Sequence, residues 1–323
     1  MPPGSRRGPR CSRRLATVKK RDFLTLLDQK PETVSMLLER ALKMKEGKLG
    51  ASHCPLIGRS VGLLFEKPST RTRVSFEVGI YQLGGQTIFL STQDVQLSRG
   101  ETLHDTARVL SRYLSALVVR TYSHETLVVL AREATIPVIN ALTDRAHPCQ
   151  ALGDLLTINE VSGRTSGVRV AYLGDGNNVA NSLMVGCAMM GTDFVMACPE
   201  GYDPDPQYLE YSIAMAGRSG GSVRVVRDPA EAAGGAHFLY TDVWTSMGQE
   251  EETERRRRDL GPYQLNAGLL ALADPDARMM HCLPANRGEE ITDEMMDHPR
   301  CIIIQQAENR LHSQKALLEW LIG

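Results

Sequence analysis

Ten short apolar runs, each fenced by turn residues and separated from the next by an amphipathic stretch, constrain this chain more than any other feature. They are VGLLF (61–65), QTIFLS (86–91), ALVVR (116–120), IPVIN (136–140), VRVAYL (168–173), DFVMAC (193–198), SVRVV (222–226), AHFLY (236–240), RMMHCL (278–283) and CIII (301–304). Runs this short have strand length, and the segments between them have helix length. Strands that alternate with helices join through right-handed crossovers into parallel sheets. Ten strands in 323 residues divide naturally between two sheets, at about the length of two ordinary domains. The expected fold is therefore α/β, with two doubly wound domains of mainly parallel sheet. A helix from about His147 to Val161, followed by the polar stretch SGRTSG, marks the division into residues 21–160 and 161–323. The closing helix, SQKALLEWLIG (313–323), is expected to return to the first domain.

Charge narrows the functional classes. With 37 Lys and Arg against 38 Asp and Glu the formal net charge is -1, which gives the chain no overall attraction to nucleic acid or to an acidic membrane. No apolar run approaches the roughly 18 residues needed for a spanning helix. The seven cysteines (Cys11, Cys54, Cys149, Cys187, Cys198, Cys282 and Cys301) form neither a CxxC pair nor a cluster at zinc spacing, so a reducing cytoplasm is expected and no metal site. Residues 1–21 carry Arg6, Arg7, Arg10, Arg13, Arg14, Lys19, Lys20 and Arg21 without an acid. Prolines and glycines in MPPGSRRGPR oppose an amphipathic helix, which favours a disordered basic tail over residues 1–20; a transit peptide to the mitochondrial matrix is the alternative. The run EEETERRRR (250–258) sets opposite charges four apart and reads as a solvated helix face.

Chemistry gathers where strands end. In FEKPSTRTRVSFEVGIYQLGG (65–85), Ser69 or Thr70 can cap a helix that starts at the carboxyl end of a strand, with Val74, Val78, Tyr81, Phe76, Ile80 and Leu83 spaced to bury one side. Helix-start amides, hydroxyls, Arg71 and Arg73 would together suit a phosphate; the plainer reading is a capped helix with two surface arginines. The GxxxxGK[ST] phosphate loop is absent, and GDGNNVA (174–180) fails GxGxxG because Val179 stands at the third position. No nucleotide cofactor is expected. HPCQ (147–150), DVWTSMGQE (242–250) and HCLP (281–284) also follow strands, where open α/β sheets hold ligands. Taken singly, His147 could be a helix cap and Cys282 a buried structural thiol.

Taken together, STRTR, HPCQ, DGNN, DVWTSMGQE, HCLP and AENR stand in the order and spacing of the ornithine carbamoyltransferases, and the chain resembles that family from about Arg21 onward. STRTR with HPxQ marks carbamoyltransferases in general; SMG and HCLP point to ornithine. The resemblance implies that Ser69, Thr70, Arg71 and Thr72 hold the phosphate of carbamoyl phosphate. Arg120, His147, Gln150, Arg310 and the backbone of Cys282 and Leu283 would grip the carbamoyl end. It further implies L-ornithine bound through Asn178, Asp242, Ser246 and Met247, and a homotrimer in which Gln96 of the 91–105 loop reaches a neighbour's site. Arg71, Arg120, His147 and Cys282 would be the catalytic set, with direct attack of the δ-amine and no covalent enzyme intermediate. Another amine (putrescine, lysine or an acylated ornithine) or a binding paralogue without turnover are the alternatives.

Overall fold

The structure is a computed structural model that describes residues 20–50, 52–91, 100–245 and 250–323. The basic tail before Lys20 lies outside the described residues. Nine strands occur among them: β1 (Ser60–Phe65), β2 (Gln86–Ser91), β3 (Ala116–Arg120), β4 (Val138–Leu142), β5 (Arg169–Leu173), β6 (Asp193–Ala197), β7 (Val223–Val226), β8 (Phe238–Thr241) and β9 (Arg278–His281). They make two wholly parallel sheets, ordered β2-β1-β3-β4 and β7-β6-β5-β8-β9. The first sheet is served by α1 (Pro31–Lys45), α2 (Thr70–Gln82), α3 (Leu103–Tyr113), α4 (His124–Glu133) and α5 (Pro148–Ser162). Around the second run α6 (Asn178–Met189), α7 (Pro206–Ser219), α8 (Pro229–Ala233), α9 (Thr253–Leu260), α10 (Ala267–Leu272) and α11 (Asp293–Met296), and α12 (Ile303–Ile322) closes the chain.

Helices on both faces explain why the central strands are apolar throughout instead of alternating: β3 is buried at every position, and β5 at all but its first. One continuous core links the sheets, running from Phe23 and Phe76 through Leu152 and Leu155 of α5 to Tyr172 and Tyr240. Tyr172 and Tyr240 stack at 5.4 Å between ring centroids. α12 packs along α5, α1 and α2. It meets α5 at Gly153, where an added Cβ would come within 3.4 Å of the Arg310 Cα and 3.0 Å of its Cγ. That close approach explains the glycine in an otherwise regular helix.

Three expectations need correction. CIII is not a strand: Cys301 makes only an isolated bridge to Met279, and Ile303 opens α12. α12 accordingly begins ten residues earlier than Ser313. Its first half escaped notice because its inward side is polar, with Gln306, Asn309 and Arg310 buried in hydrogen bonds. On α2, Phe76, Ile80 and the following Leu83 are buried, but Val74, Val78 and Tyr81 face outward, Tyr81 being 80% exposed. That helix carries two apolar stripes, and only one meets its own core. The charged run on α9 is not wholly solvated either. Glu252 pairs with Arg256 at 3.0 Å as the spacing of four predicts, yet Arg256 is buried and also reaches Asp175 at 2.9 Å and the Trp244 carbonyl at 3.1 Å. Glu254 pairs with Arg257 instead of Arg258.

Candidate functional site

The carboxyl ends of both sheets open on one cavity of about 460 Å³. Ser69, Thr70, Arg71, Thr72, Arg120, His147, Gln150, Asn178, Asp242, Cys282, Leu283 and Arg310 all line it. Residues drawn from positions 69 to 310 thus converge because each follows, or lies against, the end of a parallel strand. Gln96, Ser246 and Met247 fall outside the described residues.

At the mouth of α2, Ser69 is the cap: its hydroxyl accepts the Thr72 N–H at 3.4 Å. The free amides of the first turn and the positive end of the helix dipole therefore face the cavity together with Arg71. Arg73 does not join them. It pairs with Glu77 at 2.9 Å and lies 3.7 Å over the Phe89 ring, so only one of the two arginines in the motif serves the cavity. Arg310, buried on α12, donates to the Thr72 hydroxyl at 2.7 Å and so locks α12 to the start of α2.

Arg71, Arg120 and Arg310 crowd one end. Burial lowers the Arg120 pKa to about 10, with Arg310 and Arg71 adding repulsion, and burial likewise lowers that of Arg310. Three guanidinium groups gathered there make a concentration of positive charge that an anion would relieve. Burial, reinforced by Arg310 and Arg120, holds His147 well below the usual imidazole range. It is a neutral ring, able to donate from one nitrogen. The Arg120 Nε, Arg310 Nε, His147 Nδ1 and Gln150 Oε1 are buried without a protein partner. Buried polar atoms are nearly always satisfied, so such a cluster beside a cavity is the mark of a polar ligand.

The opposite end is of another character. Asp242 accepts from Asn177 Nδ2 at 2.8 Å, from the Val243 N–H at 2.8 Å and from the Cys282 thiol at 2.7 Å. Burial, with the Asp242 charge, pushes the Cys282 pKa well above its ordinary value. The group is a thiol, unsuited to act as a thiolate nucleophile. Asn178 donates its amide to the Thr143 carbonyl at 2.5 Å. Ligand atoms of Asp242, His281 and Cys282 lie within 4.8 Å of one another, but both ring nitrogens of His281 are engaged: Nδ1 accepts the Leu283 N–H at 2.9 Å, and Nε2 meets Glu290 at 3.0 Å. This is a hydrogen-bonded brace. It holds Leu283 at φ 59°, a conformation that a branched side chain rarely adopts.

Sequence reasoning missed Lys67, Pro68, Leu142, Val179, Val243, Thr245, Pro284 and Asn286, which also line the cavity. Lys67 stands two residues before the Ser69 cap, where its position offered a signal; its ammonium lies 3.9 Å over the Tyr122 ring. Asp154 was missed as well, although its spacing of four from Gln150 on one helix places the two side chains together.

Residues 21–160 match the family model described as aspartate/ornithine carbamoyltransferase, carbamoyl-P binding domain, and residues 166–321 match that of the Asp/Orn binding domain. The anabolic ornithine carbamoyltransferase of Pyrococcus furiosus is 51% identical over 304 residues, covering 94% of this chain and 96% of that protein. A solved ornithine carbamoyltransferase structure from Pyrococcus furiosus superposes with a TM-score of 0.91 at 51% identity, over 94% of this chain and 97% of the other. An acetylornithine transcarbamylase solved with acetylcitrulline is more distant, with a TM-score of 0.84, 32% identity and 94% and 99% of the two chains covered.

Proposed function

The chain belongs to the aspartate/ornithine carbamoyltransferase family, and on that premise we infer that it transfers the carbamoyl group of carbamoyl phosphate to the δ-amine of L-ornithine, releasing L-citrulline and phosphate. One observation carries the reading: a single cavity sets three arginines and a helix start at one end against a carboxylate and a thiol at the other. The first end suits a dianion and the second a cationic amino acid.

In this reading Ser69, Thr70, Arg71 and Thr72 hold the phosphate, and Arg120, His147, Gln150 and Arg310, with the backbone of Cys282 and Leu283, hold the carbamoyl end. Hydrogen bonds from charged donors contribute on the order of 1.5–3 kcal/mol each. They strengthen as charge builds on the carbonyl oxygen and the departing phosphate, which is where they accelerate the reaction. Asn178 and Asp242, with Ser246 and Met247, hold ornithine. The amine nitrogen attacks the carbamoyl carbon, the C–O bond to phosphate breaks with its electron pair leaving on phosphate, and the surplus proton on nitrogen goes to the same group. Holding both reactants in one cavity supplies the orientation. Cys282 positions the amine as a thiol, and no covalent intermediate is formed on it.

The reading divides the chain into a carbamoyl phosphate half, 21–160, and an ornithine half, 161–323, with α12 returning to the first. It also includes a homotrimer in which Gln96 serves a neighbour's site. Val74, Val78 and Tyr81, exposed on one face of α2, and Ile88, exposed on the edge strand β2, support such an assembly. Six free cysteines among the described residues agree with a cytoplasmic enzyme, and no helix among those residues is long and apolar enough to cross a membrane. The direction proposed is synthesis of citrulline, toward arginine.

A citrulline assay tests the reading. With carbamoyl phosphate fixed, L-ornithine is expected to give at least about a hundredfold higher kcat/KM than N-acetyl-L-ornithine or putrescine, since a site built to hydrogen-bond polar groups rejects ligands that leave them unpaired, and at least about tenfold higher than L-lysine, whose extra methylene misplaces the amine. Equal or better turnover of one of those amines would reassign the substrate, and no turnover of any would leave a binding protein.

A further inference from the structure

We propose that Asp154 is a positioning residue: it turns the Gln150 carboxamide so that its carbonyl oxygen faces the carbamoyl group, and through Gln306 it ties that oxygen to the loop bearing Cys282 and Leu283. The proposal rests on the carbamoyl-transfer reading and adds to it the device that tells a carbamoyl from an acyl group.

Asp154 is fully buried, one turn beyond Gln150 on α5. One carboxylate oxygen accepts from Gln150 Nε2 at 2.8 Å and from Gln306 Nε2 at 2.7 Å, and the other accepts from the Tyr240 hydroxyl at 3.1 Å. Three elements, α5, α12 and β8, thus aim donors at one anion. An ionised carboxylate only accepts, so each glutamine must present its NH₂ to it and turn its oxygen away. For Gln306 that oxygen accepts the His281 N–H at 2.9 Å, which fixes the strand end from which Cys282 and Leu283 project. For Gln150 it is buried beside the cavity with no protein partner. An acceptor without a donor calls for an N–H, and at the reacting end of carbamoyl phosphate only the NH₂ supplies one. Were the amide reversed, NH₂ would meet NH₂. Burial raises the Asp154 pKa to about 6, opposed by the hydrogen bonds from Gln306, Gln150 and Tyr240, so near neutrality the group is the acceptor this geometry needs.

Acetyl phosphate, which carries a methyl group in place of the NH₂, separates positioning from general support. In the full-length enzyme, Asp154→Ala frees the amide to rotate. KM for carbamoyl phosphate is expected to rise about tenfold, the effect of losing one hydrogen bond of ordinary strength, while the Ki of acetyl phosphate as a competitor changes less than about threefold. Asp154→Asn, which keeps the volume and weakens the acceptor, should move the same ratio in the same direction by less. It also serves if the alanine variant does not fold. In a Gln150→Leu background, Asp154→Ala should no longer alter the ratio. An equal loss for both ligands, or no change in either, would overturn the assignment. Wild-type citrulline formation, measured first, separates failure of the carbamoyl reading from failure of this one.

Discussion

Arg71→Ala lowers kcat/KM for carbamoyl phosphate by roughly 10²–10⁴-fold, and Arg73→Ala leaves it within about threefold. The first figure follows from removing two charged hydrogen bonds to phosphate, about 3–6 kcal/mol together, at 1.36 kcal/mol per decade. The second follows from Arg73 being spent on Glu77 and the Phe89 ring, outside the cavity. Alanine keeps the first helical turn intact, which glycine in the same place would weaken by up to about 1 kcal/mol. Steady-state kinetics of both variants decide the matter. Equal effects at the two positions would mean that the motif acts as a block of charge and that the geometry separating its arginines is irrelevant to binding.

The second large effect is in pH. An alkylamine has a pKa of about 10.4, so the neutral form that can attack grows about tenfold per unit below it, and having it at pH 7 costs about 4–5 kcal/mol. Over pH 6 to 8.5 kcat/KM for ornithine should therefore rise by up to about 300-fold, provided no enzyme group cancels the trend. The site residues do not oppose it. His147 is held well below its ordinary pKa by burial, then Arg310 and Arg120, so it is already neutral. Cys282 is held well above its own by burial and by Asp242, so it is still a thiol. Arg120, lowered to about 10, keeps its charge. Asp154, at about 6, completes its ionisation near the foot of the window. The rise should survive Cys282→Ala at a lower level of activity. A flat profile with chemistry rate-limiting would contradict attack by the free amine, and loss of the rise in Cys282→Ala would mean that a thiolate was being titrated.

Much of this architecture was legible from strand-length apolar runs, because both faces of each sheet are covered and central strands such as β3 and β5 are therefore apolar throughout. The runs located nine of the ten proposed strands and, with them, the loops where ligands gather. What failed were segments whose environment contradicts their composition. Ile302 and Ile303 look like a strand, yet they open α12, whose buried Gln306, Asn309 and Arg310 look like a loop. Val74, Val78 and Tyr81 look like core, yet they face outward. Within the site, residues recognisable by motif converge on one cavity, while the side chains that orient them were overlooked. Asp154 acts on Gln150 from four positions away, but Gln306 and Glu290 act on His281 across 25 and 9 positions, and Gln306 reaches Asp154 across 152. The helical spacing of four could have reported Asp154, but no local pattern reports Gln306 or Glu290; only the fold brings those two within 3 Å of their partners.

The central claim is that a phosphate pocket at the start of α2 and an amine pocket around Asp242 share one cavity closely enough for nitrogen to reach carbon. N-(phosphonoacetyl)-L-ornithine, which joins the two ligands through a stable link, measures this directly by calorimetric titration. It should bind at least about a hundredfold more tightly than carbamoyl phosphate or ornithine alone, because the second contact is made at high effective concentration, and Arg71→Ala should abolish most of that gain. Binding no tighter than that of either half would place the pockets too far apart and contradict the account.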